Sequence, residues 1–383
     1  MWYQVRNVND VPSPALLVYP DRAAENLRRL VTIAGRPERL RPHMKTHKMP
    51  AIARLYLAAG ITRAKCATIA EAEMLAEAGM PDVLLACQPV GPGATRLAAL
   101  ASRYPTTRFS AIVDDEAAAR AIDQAFAQSG LRIELLVDLD VGMHRTGIEP
   151  EHAAPLYHRI ARLHAASPGG LHAYDGHLHD ADRAARCARA SEGLARVLRL
   201  RDQLRADGLP VPRIVAGGTP TFPCHAASEE PDLELSPGTI VFWDAGYAAG
   251  LPDLPFLAAA LLLTRVISKP GGSRVCLDLG HKAVASEMPH PRALLVPAHA
   301  DEPAPRAPGL DLPCLDARFV GHSEEHLVIE TPIADRLRVG DHLYAVPWHV
   351  CPTVALHGVA HVVRDGRVEE RWPVTARERV LTV

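Results

Sequence analysis

The sequence has few aromatic residues and no excess of charge of either sign. Aromatic side chains make up 5% of its 383 residues, and 42 basic against 44 acidic residues give a formal net charge of -2. A protein that binds nucleic acid or a membrane surface usually presents a clustered basic patch. Because basic and acidic residues are interspersed here, neither role is favoured.

Long apolar runs and a cysteine framework are also missing. No stretch reaches the length of about 18 apolar residues that a membrane-spanning helix needs. Residues 1–14, MWYQVRNVNDVPSP, lack the apolar centre of a signal peptide. The cysteines are odd in number and show no disulfide-like spacing: they are Cys66, Cys87, Cys187, Cys224, Cys276, Cys314 and Cys351. We therefore expect a cytoplasmic protein with reduced cysteines.

Short apolar runs alternate with amphipathic segments over the first part of the chain. Eight of these runs are strand candidates, at residues 15–19, 39–45, 63–69, 82–87, 108–113, 133–140, 170–176 and 213–219. Helix-like segments that end near glycine or proline lie between them. The alternation predicts an α/β fold, a (β/α)8 TIM-like barrel. A doubly wound parallel sheet would show the same alternation and stays open as the alternative.

The pattern changes after about residue 250, where apolar segments are separated by proline, glycine and aspartate turns. Strand candidates lie at residues 257–270, 274–280, 326–332, 341–347 and 357–374. They predict a separate C-terminal β-domain over residues 249–383, after a barrel over residues 13–248. The proline-rich segment at residues 289–313 is predicted to be a long surface loop.

Lys45 is the first candidate for chemistry. It ends the second strand candidate within RLRPHMKTHKMP, residues 39–50, and barrels carry their active sites at the carboxyl ends of strands. A lysine that forms a Schiff base must lie in a partly desolvated pocket, where its amine is neutral and nucleophilic. A solvated surface lysine is the commoner alternative. His43 and His47 flank a strand end and do not share one helix face, so a helical zinc motif is discounted.

Two further loops carry groups that bind anions. In AGGTPTF, residues 216–222, Gly217 and Gly218 let backbone N–H groups approach a phosphate, and Thr219 adds a hydroxyl. A Gly-Gly pair is often only a turn, so the position of this loop after the last strand candidate carries the argument. In DLDVGMHRTG, residues 138–147, Arg145 follows a flexible Gly-Met pair and can reach a ring or a carboxylate. An ordinary loop arginine is the equal alternative.

A polar cluster follows the seventh strand candidate in HAYDGHLHD, residues 172–180. So many polar groups at one strand end would be costly if they were only structural. The members of this cluster with a candidate catalytic role are Tyr174, His177, His179 and Asp180.

His349 and Cys351 form the candidate metal site. They lie in PWHVCPTVALH, residues 347–357, which is interpreted as a strand, so that alternate residues point to one face. An imidazole and a thiolate on one face suit a zinc-like ion with positions left for water or substrate. The alternative is a purely structural role, with a buried cysteine beside a histidine of the core.

These motifs together resemble one family. RPHMKTHK, VGMHRTG, AYDGH, GGTPT, SPGTIVFWD, LDLGHK and HVCPTVALH are similar, in this order, to motifs of the D-threonine aldolases and metal-activated D-serine dehydratases. These are alanine racemase-like enzymes of fold type III, and the resemblance spans nearly the whole chain. It implies a barrel that carries pyridoxal 5'-phosphate (PLP), a C-terminal β-domain joined by an N-terminal strand at residues 1–12, and a homodimer.

The resemblance also implies roles for particular residues. Lys45 would carry the cofactor, with Tyr174 beside it and His349 and Cys351 on a divalent metal. The expected cofactor-binding residues are Lys45, His43, Arg145, Tyr174, Gly217, Gly218, Thr219, Gly238 and Thr239, of which Gly218, Thr219, Gly238 and Thr239 would hold the phosphate.

Two departures from the family patterns bear on the activity. The aldolases generally carry His-x-Asp at the metal and the dehydratases His-x-Cys, so Cys351 favours the dehydratases. The frame around it, HV-PT…LH, looks more like the aldolases. Ser236 stands where the racemases place an arginine against the pyridine nitrogen, which favours lyase over racemase chemistry.

The expected substrate is a small β-hydroxy-D-amino acid, and the expected metal is zinc or manganese. Retro-aldol cleavage to glycine and an aldehyde is the favoured reaction, with His177, His179 or Asp180 as base. β-Elimination to a 2-oxo acid and ammonia, with Lys45 taking the Cα proton, is the alternative. Racemisation and a non-catalytic PLP carrier are less favoured.

Overall fold

The structure is a computed structural model that describes residues 1–298 and 305–383. The chain forms two compact units. One unit comprises residues 30–238 and 378–383, and the other comprises residues 1–29 and 239–377. We call them the barrel unit and the sheet unit.

The barrel unit is built on a parallel sheet whose strands follow one another in chain order. Its strands are β2 (Arg63–Cys66), β3 (Asp82–Leu85), β4 (Arg108–Val113), β5 (Ile133–Leu139), β6 (Ala166–Ala173), β7 (Ile214–Ala216) and β8 (Leu233–Leu235). The segment 40–43 lies between the two edges of this sheet, because Leu40 bridges to Leu235 and His43 bridges to Lys65. With this segment in the eighth position the sheet closes on itself, which confirms the barrel class.

Helices connect these strands as the alternation predicts. They are α2 (Pro50–Ala58), α3 (Ile69–Glu77), α4 (Gly93–Arg103), α5 (Glu116–Gln128), α6 (Ala154–Ile160), α7 (Arg183–Ala206) and α8 (Phe222–Ala226). Leu84, Ile112, Leu136 and Val215 from four of the strands form one buried apolar cluster. Layers of branched side chains of this kind fill the interior of such barrels.

One strand assignment in the barrel was wrong, and one strand of the barrel was missed. Residues 15–19 were counted as its first strand, whereas β1 (Ala15–Val18) pairs with strands of the sheet unit. Its four residues are all buried, so periodicity alone gives no hint of which sheet it joins. The missed strand is β8, which has only three residues, too few for an apolar pattern to reveal. The remaining position in the barrel belongs to the segment 40–43.

The sheet unit contains a nine-stranded mixed sheet. Its later strands are β9 (Ala260–Gly271), β10 (Arg274–Leu277), β11 (Ala293–Pro297), β12 (Arg318–His322), β13 (Leu327–Glu330), β14 (His342–Pro347), β15 (Val359–Arg364) and β16 (Arg367–Pro373). The order is β12-β13-β10-β9-β1-β15-β16, and β14 pairs with β9 and β11. Three helices complete the unit: α1 (Pro20–Ala34, which runs on past the unit boundary), α9 (Ala245–Gly250) and α10 (Val350–Leu356).

Three further expectations are corrected. The proline-rich segment 289–313 contains strand β11, and its residues 299–304 lie outside the described residues. Residues 347–357 do not form a strand, because β14 ends at Pro347 and α10 begins at Val350. Cys187 and Cys224 form a disulfide between α7 and α8, 37 residues apart in sequence, so the expectation of reduced cysteines fails for this pair.

Within the described part of the chain, no helix is long and apolar enough to span a membrane.

Candidate active site

Lys45 lies in a short 3-10 turn, Met44–Thr46, directly after the segment that closes the barrel. Hydrogen bonds on both sides hold this segment: the Arg41 N–H donates to Leu235 O at 2.8 Å, and the Lys65 N–H donates to Pro42 O at 2.9 Å. The buried His43 begins the turn, and its Nδ1 accepts the N–H of Lys45 at 3.3 Å. Lys45 itself is half-buried. The backbone therefore fixes where this side chain starts.

The buried Ser236, which replaces the arginine of the racemase pattern, contributes to this arrangement. Its hydroxyl donates to the carbonyl of Arg41 at 2.9 Å. The side chain therefore ties the residue after β8 to the closing segment. In this chain the position thus carries a structural hydrogen bond.

The glycine loop after β7 is tightly packed. A Cβ on Gly218 would lie 3.0 Å from Cε2 of Tyr174, and Gly217 has φ +87°, a conformation that side chains rarely adopt. The Gly218 N–H donates to Thr221 Oγ1 at 3.0 Å, and the Gly238 N–H donates to Thr219 Oγ1 at 3.0 Å. The structure thus brings Gly217, Gly218, Thr219 and Gly238 together, beside Tyr174.

A buried polar network supports this loop from α8. Asp175 Oδ1 accepts the Thr221 hydroxyl at 2.6 Å, and its Oδ2 lies 2.7 Å from His225 Nε2. All three side chains are buried. Since Thr221 also contacts the Gly218 amide, Asp175 positions the glycine loop.

The loop after β5 presents Arg145. The carboxylate of Asp140 orders this loop by accepting the N–H groups of Gly142 at 2.9 Å and His144 at 3.0 Å. Arg145 is exposed, and its guanidinium carbon lies 5.1 Å from the centre of the Tyr174 ring, within the range of a cation–π contact. Arg145 thus lies near the aromatic ring that packs on Gly218.

The three candidate bases after β6 have different surroundings. Asp180 is bound to Arg189 at 2.9 Å, a half-exposed ion pair, and His179 is exposed. His177 lies against the β5 loop, with its Nε2 3.1 Å from the position of a Cβ on Gly142. Its Nδ1 is buried and has no hydrogen-bond partner among the described residues, and burial lowers the pKa of His177. The structure thus separates His177 from the other two.

A buried group that sequence reasoning missed lies near Lys45. Lys65 Nζ is 3.3 Å from His172 Nε2, and His172 Nδ1 is 2.6 Å from Asp138 Oδ1. Asp138 also accepts the Thr146 hydroxyl at 3.0 Å. Asp138 follows Leu136 by two residues on β5, so both point to the barrel interior. The signal was present in the sequence, because Lys65 is a charged residue within a predicted buried strand.

The sheet unit holds the candidate metal ligands. His349 precedes α10 and Cys351 is its second residue, so the end of a strand and a helix start replace the expected single strand. The buried Asp244 accepts the Val350 N–H at 3.0 Å, and burial raises the pKa of Asp244 to about 6. Glu287 Oε1 lies 2.7 Å from His349 Nδ1. This contact leaves Nε2 of His349 as the nitrogen available to a metal.

Thr239, expected to hold a phosphate, lies in the sheet unit, where its hydroxyl oxygen is 3.5 Å from Cys351 Sγ. Burial lowers the pKa of His349, but Cys351, Asp244 and Glu287 outweigh it and raise that pKa to about 9. Among residues 1–298 and 305–383, no set of three or more histidine, cysteine or acidic side chains is arranged to hold a metal.

The residues present fit both groups that the resemblance implies. A Cβ on Gly218 would fill the space beside the Tyr174 ring, as expected where backbone must approach a phosphate closely. Lys45 offers an amine at the end of the closing segment. An imidazole held by a carboxylate, together with a thiol, is a donor set that zinc prefers.

Comparison with known proteins identifies the family of this chain. Residues 18–245 match the family described as "Alanine racemase, N-terminal domain", and residues 259–363 match the "Putative serine dehydratase domain". The D-threonine aldolase of Arthrobacter sp is 33% identical over 377 residues, which cover 96% of this chain and 93% of that protein. The 3-hydroxy-D-aspartate aldolase of Paracoccus denitrificans is 29% identical over 384 residues, with coverage of 96% and 93%.

A solved structure extends the likeness to the fold. The D-threonine aldolase from Filomicrobium marinum superposes with a TM-score of 0.84 at 32% identity and covers 96% of both chains. The motif resemblance is therefore confirmed over nearly the full length of the sequence. The chain belongs to the alanine racemase-like family that contains the D-threonine aldolases and proteins with the serine dehydratase domain.

Proposed function

We propose that this protein is a PLP- and metal-dependent lyase that cleaves a β-hydroxy-D-amino acid into glycine and an aldehyde. The observation that carries the proposal is Lys45 on a hydrogen-bonded turn at the end of the barrel's closing segment. Similarity to aldolases of β-hydroxy-D-amino acids over 96% of the chain supports the substrate class.

The barrel unit would hold the cofactor through its own side chains. The Lys45 amine would form the covalent link, Tyr174 and Arg145 would flank the ring, and the glycine loop would face the phosphate. When bound, PLP supplies an electron sink for the bond that breaks. Asp175, Thr221 and His225 keep the loop in place through their buried hydrogen bonds.

The sheet unit would bind zinc or manganese through His349 and Cys351. A divalent ion bound there supplies Lewis acidity toward the substrate β-hydroxyl group. Glu287 fixes the imidazole orientation, since it contacts Nδ1 of His349. The thiol of Cys351 favours zinc over manganese, because manganese prefers oxygen ligands.

Of the three candidate bases, His177 has the strongest support as the group that takes the β-hydroxyl proton. Burial lowers its pKa, so the imidazole is neutral and able to accept a proton near neutral pH. Asp180 is engaged with Arg189, and His179 is exposed to solvent.

β-Elimination to a 2-oxo acid and ammonia is the second candidate. Cys351 as metal ligand and the serine dehydratase domain match over residues 259–363 favour it. In this case Lys45 would take the Cα proton. We also propose that the protein is a homodimer in the cytoplasm. Light scattering of the purified protein tests the oligomeric state.

Product analysis separates the two reactions. The purified protein is incubated with D-threonine, PLP and either Zn²⁺ or Mn²⁺, and glycine and 2-oxobutyrate are assayed separately. We expect glycine with acetaldehyde, and neither product from the Lys45→Ala variant. Formation of 2-oxobutyrate with ammonia would replace the aldolase assignment by the dehydratase assignment.

A further inference from the structure

Lys65 is a basic residue in the interior of the barrel unit that the proposed function does not use. Its side chain is 2% exposed. Its hydrogen-bond contact is Nε2 of His172 at 3.3 Å, and because Nδ1 of that ring faces the Asp138 carboxylate, Nε2 is the acceptor nitrogen of a neutral imidazole. Lys65 is therefore held by a neutral partner.

The carboxylate that contacts His172 is already engaged. Asp138 binds His172 through Oδ1 and accepts the hydroxyl of Thr146 through Oδ2. Within the part of the chain that the structure describes, no carboxylate oxygen lies within 4 Å of Lys65 Nζ. A buried ammonium normally has an anionic partner, so this position lacks the oxygen that would stabilise it.

The amine also points toward the site already described. Lys65 Nζ is 5.5 Å from the centre of the Tyr174 ring, and Arg145 is 5.1 Å from the same centre. A cleft beside Tyr174 is lined by Asp138, Asp140, Arg145 and His172, and Lys65 contacts the His172 ring of its wall. An anion bound next to Tyr174 would therefore be near two basic side chains, Arg145 and Lys65.

We propose that Lys65 is an anion-binding residue of the barrel-unit site, whose ammonium takes an anionic oxygen of the bound small molecule. The inference rests on the proposed function, which supplies two such oxygens, the phenolate of PLP and the carboxylate of the amino acid. His172 and Asp138 are positioning residues that hold the amine in place.

The charge of Lys65 responds to its neighbours near neutral pH. Burial, reinforced by the nearby Lys45, lowers the pKa of Lys65 to about 7. The charged and titratable groups that face it are Lys45, Arg41, His43, His172, Asp138 and Asp175. Binding of an anion would favour the ammonium, so that Lys65 takes up roughly one proton on binding at about pH 8 and none well below pH 7.

The test compares Lys65→Met and Lys65→Arg with the wild-type full chain, with the exposed Lys269→Met as control. The affinity for PLP is measured by absorbance. The affinity of the PLP-loaded chain for D-alanine, which has no β-hydroxyl group to cleave, is measured separately. Proton uptake comes from calorimetry in two buffers of different ionisation enthalpy at about pH 6 and pH 8.

Lys65→Met is expected to weaken one of the two ligands by about tenfold. A loss confined to PLP identifies the phenolate, and a loss confined to D-alanine identifies the carboxylate. Lys65→Arg is expected to restore most of the affinity but to lose the extra proton uptake at about pH 8, because arginine stays charged. If Lys65→Met does not fold, the proton uptake of Lys65→Arg at about pH 8 alone tests the inference.

Wild-type affinities for both ligands in Lys65→Met, or proton uptake in Lys65→Arg equal to that of the wild type, would overturn the inference. Failure of the wild-type chain to bind PLP would instead contradict the proposed function. The two failures are therefore distinguishable.

Discussion

At the scale of single residues, the site depends on glycine positions that have no room for a side chain. Gly218 packs against the Tyr174 ring, and a Cβ added to Gly218 would lie 3.0 Å from Cε2 of that ring. Gly193 in α7 would place its Cβ 3.7 Å from Val141, an ordinary contact. The two glycines thus form a matched pair in one unit.

Gly218→Ala is expected to displace the Tyr174 ring and to weaken PLP binding by about tenfold. Gly193→Ala is expected to leave PLP binding unchanged and to raise the free energy of unfolding by about 0.5–1 kcal/mol, because alanine favours the helix. Absorbance titration and urea unfolding measure the two effects. Equal PLP affinity in both variants would contradict the packing argument.

His47 provides a residue-scale prediction about pH. Burial lowers its pKa to about 3, below its value in the unfolded chain, so the unfolded chain binds the proton first as the pH falls. This residue alone should reduce the free energy of unfolding by about 2 kcal/mol between about pH 7 and pH 5. In urea unfolding, His47→Gln should lose about 2 kcal/mol less of its free energy of unfolding than the wild type does between these two pH values. An equal loss in the variant and the wild type would contradict the lowered pKa of His47.

At the scale of elements, the disulfide between α7 and α8 lies next to the network that holds the glycine loop. Cys224 precedes His225, which contacts Asp175. Cys224→Ser is expected to lower the free energy of unfolding by about 2–4 kcal/mol and to weaken PLP binding. Cys87→Ser, at an exposed free cysteine, serves as the control. Unchanged unfolding and binding in Cys224→Ser would contradict a supporting role.

The closing segment of the barrel depends on a buried ion-pair network. Arg41 is fully buried and binds both Asp82 and Glu234. Arg41→Met removes the buried cation from Asp82 and Glu234, which keep only the more exposed Arg108 and Arg63 as partners. The free energy of unfolding should therefore fall by about 3 kcal/mol. The exposed Arg28→Met, which loses its contact with Glu25, should unfold much like the wild type. Similar unfolding of the two variants would show that the network contributes little.

At the scale of the whole molecule, the chain alternation predicted strands that alternate with helices, because each βα unit is local in sequence. It favoured a barrel but left a doubly wound sheet open, because both folds are built from the same βα units. What the alternation missed was non-local. The four buried residues of β1 fit either sheet, and the Cys187–Cys224 contact needs the packing of α7 on α8. The start of α10 was missed because the N–H of its first residue, Val350, is bonded to a residue distant in sequence, Asp244.

The candidate site was partly predictable for the same reason. Lys45, Tyr174 and Gly218 lie in loops at strand ends, where polar residues and glycines signal a site within a short motif. The link from Lys65 through His172 to Asp138 joins three strands, and no spacing in the sequence expresses it.

Chemical fixation shows whether Lys45 is the residue that carries the cofactor. The full chain is loaded with PLP, reduced with borohydride and digested, and the modified lysine is located by mass spectrometry. We expect one phosphopyridoxyl group on Lys45, absent from Lys45→Ala. Modification of Lys65 in place of Lys45, or no modified lysine at all, would contradict this expectation.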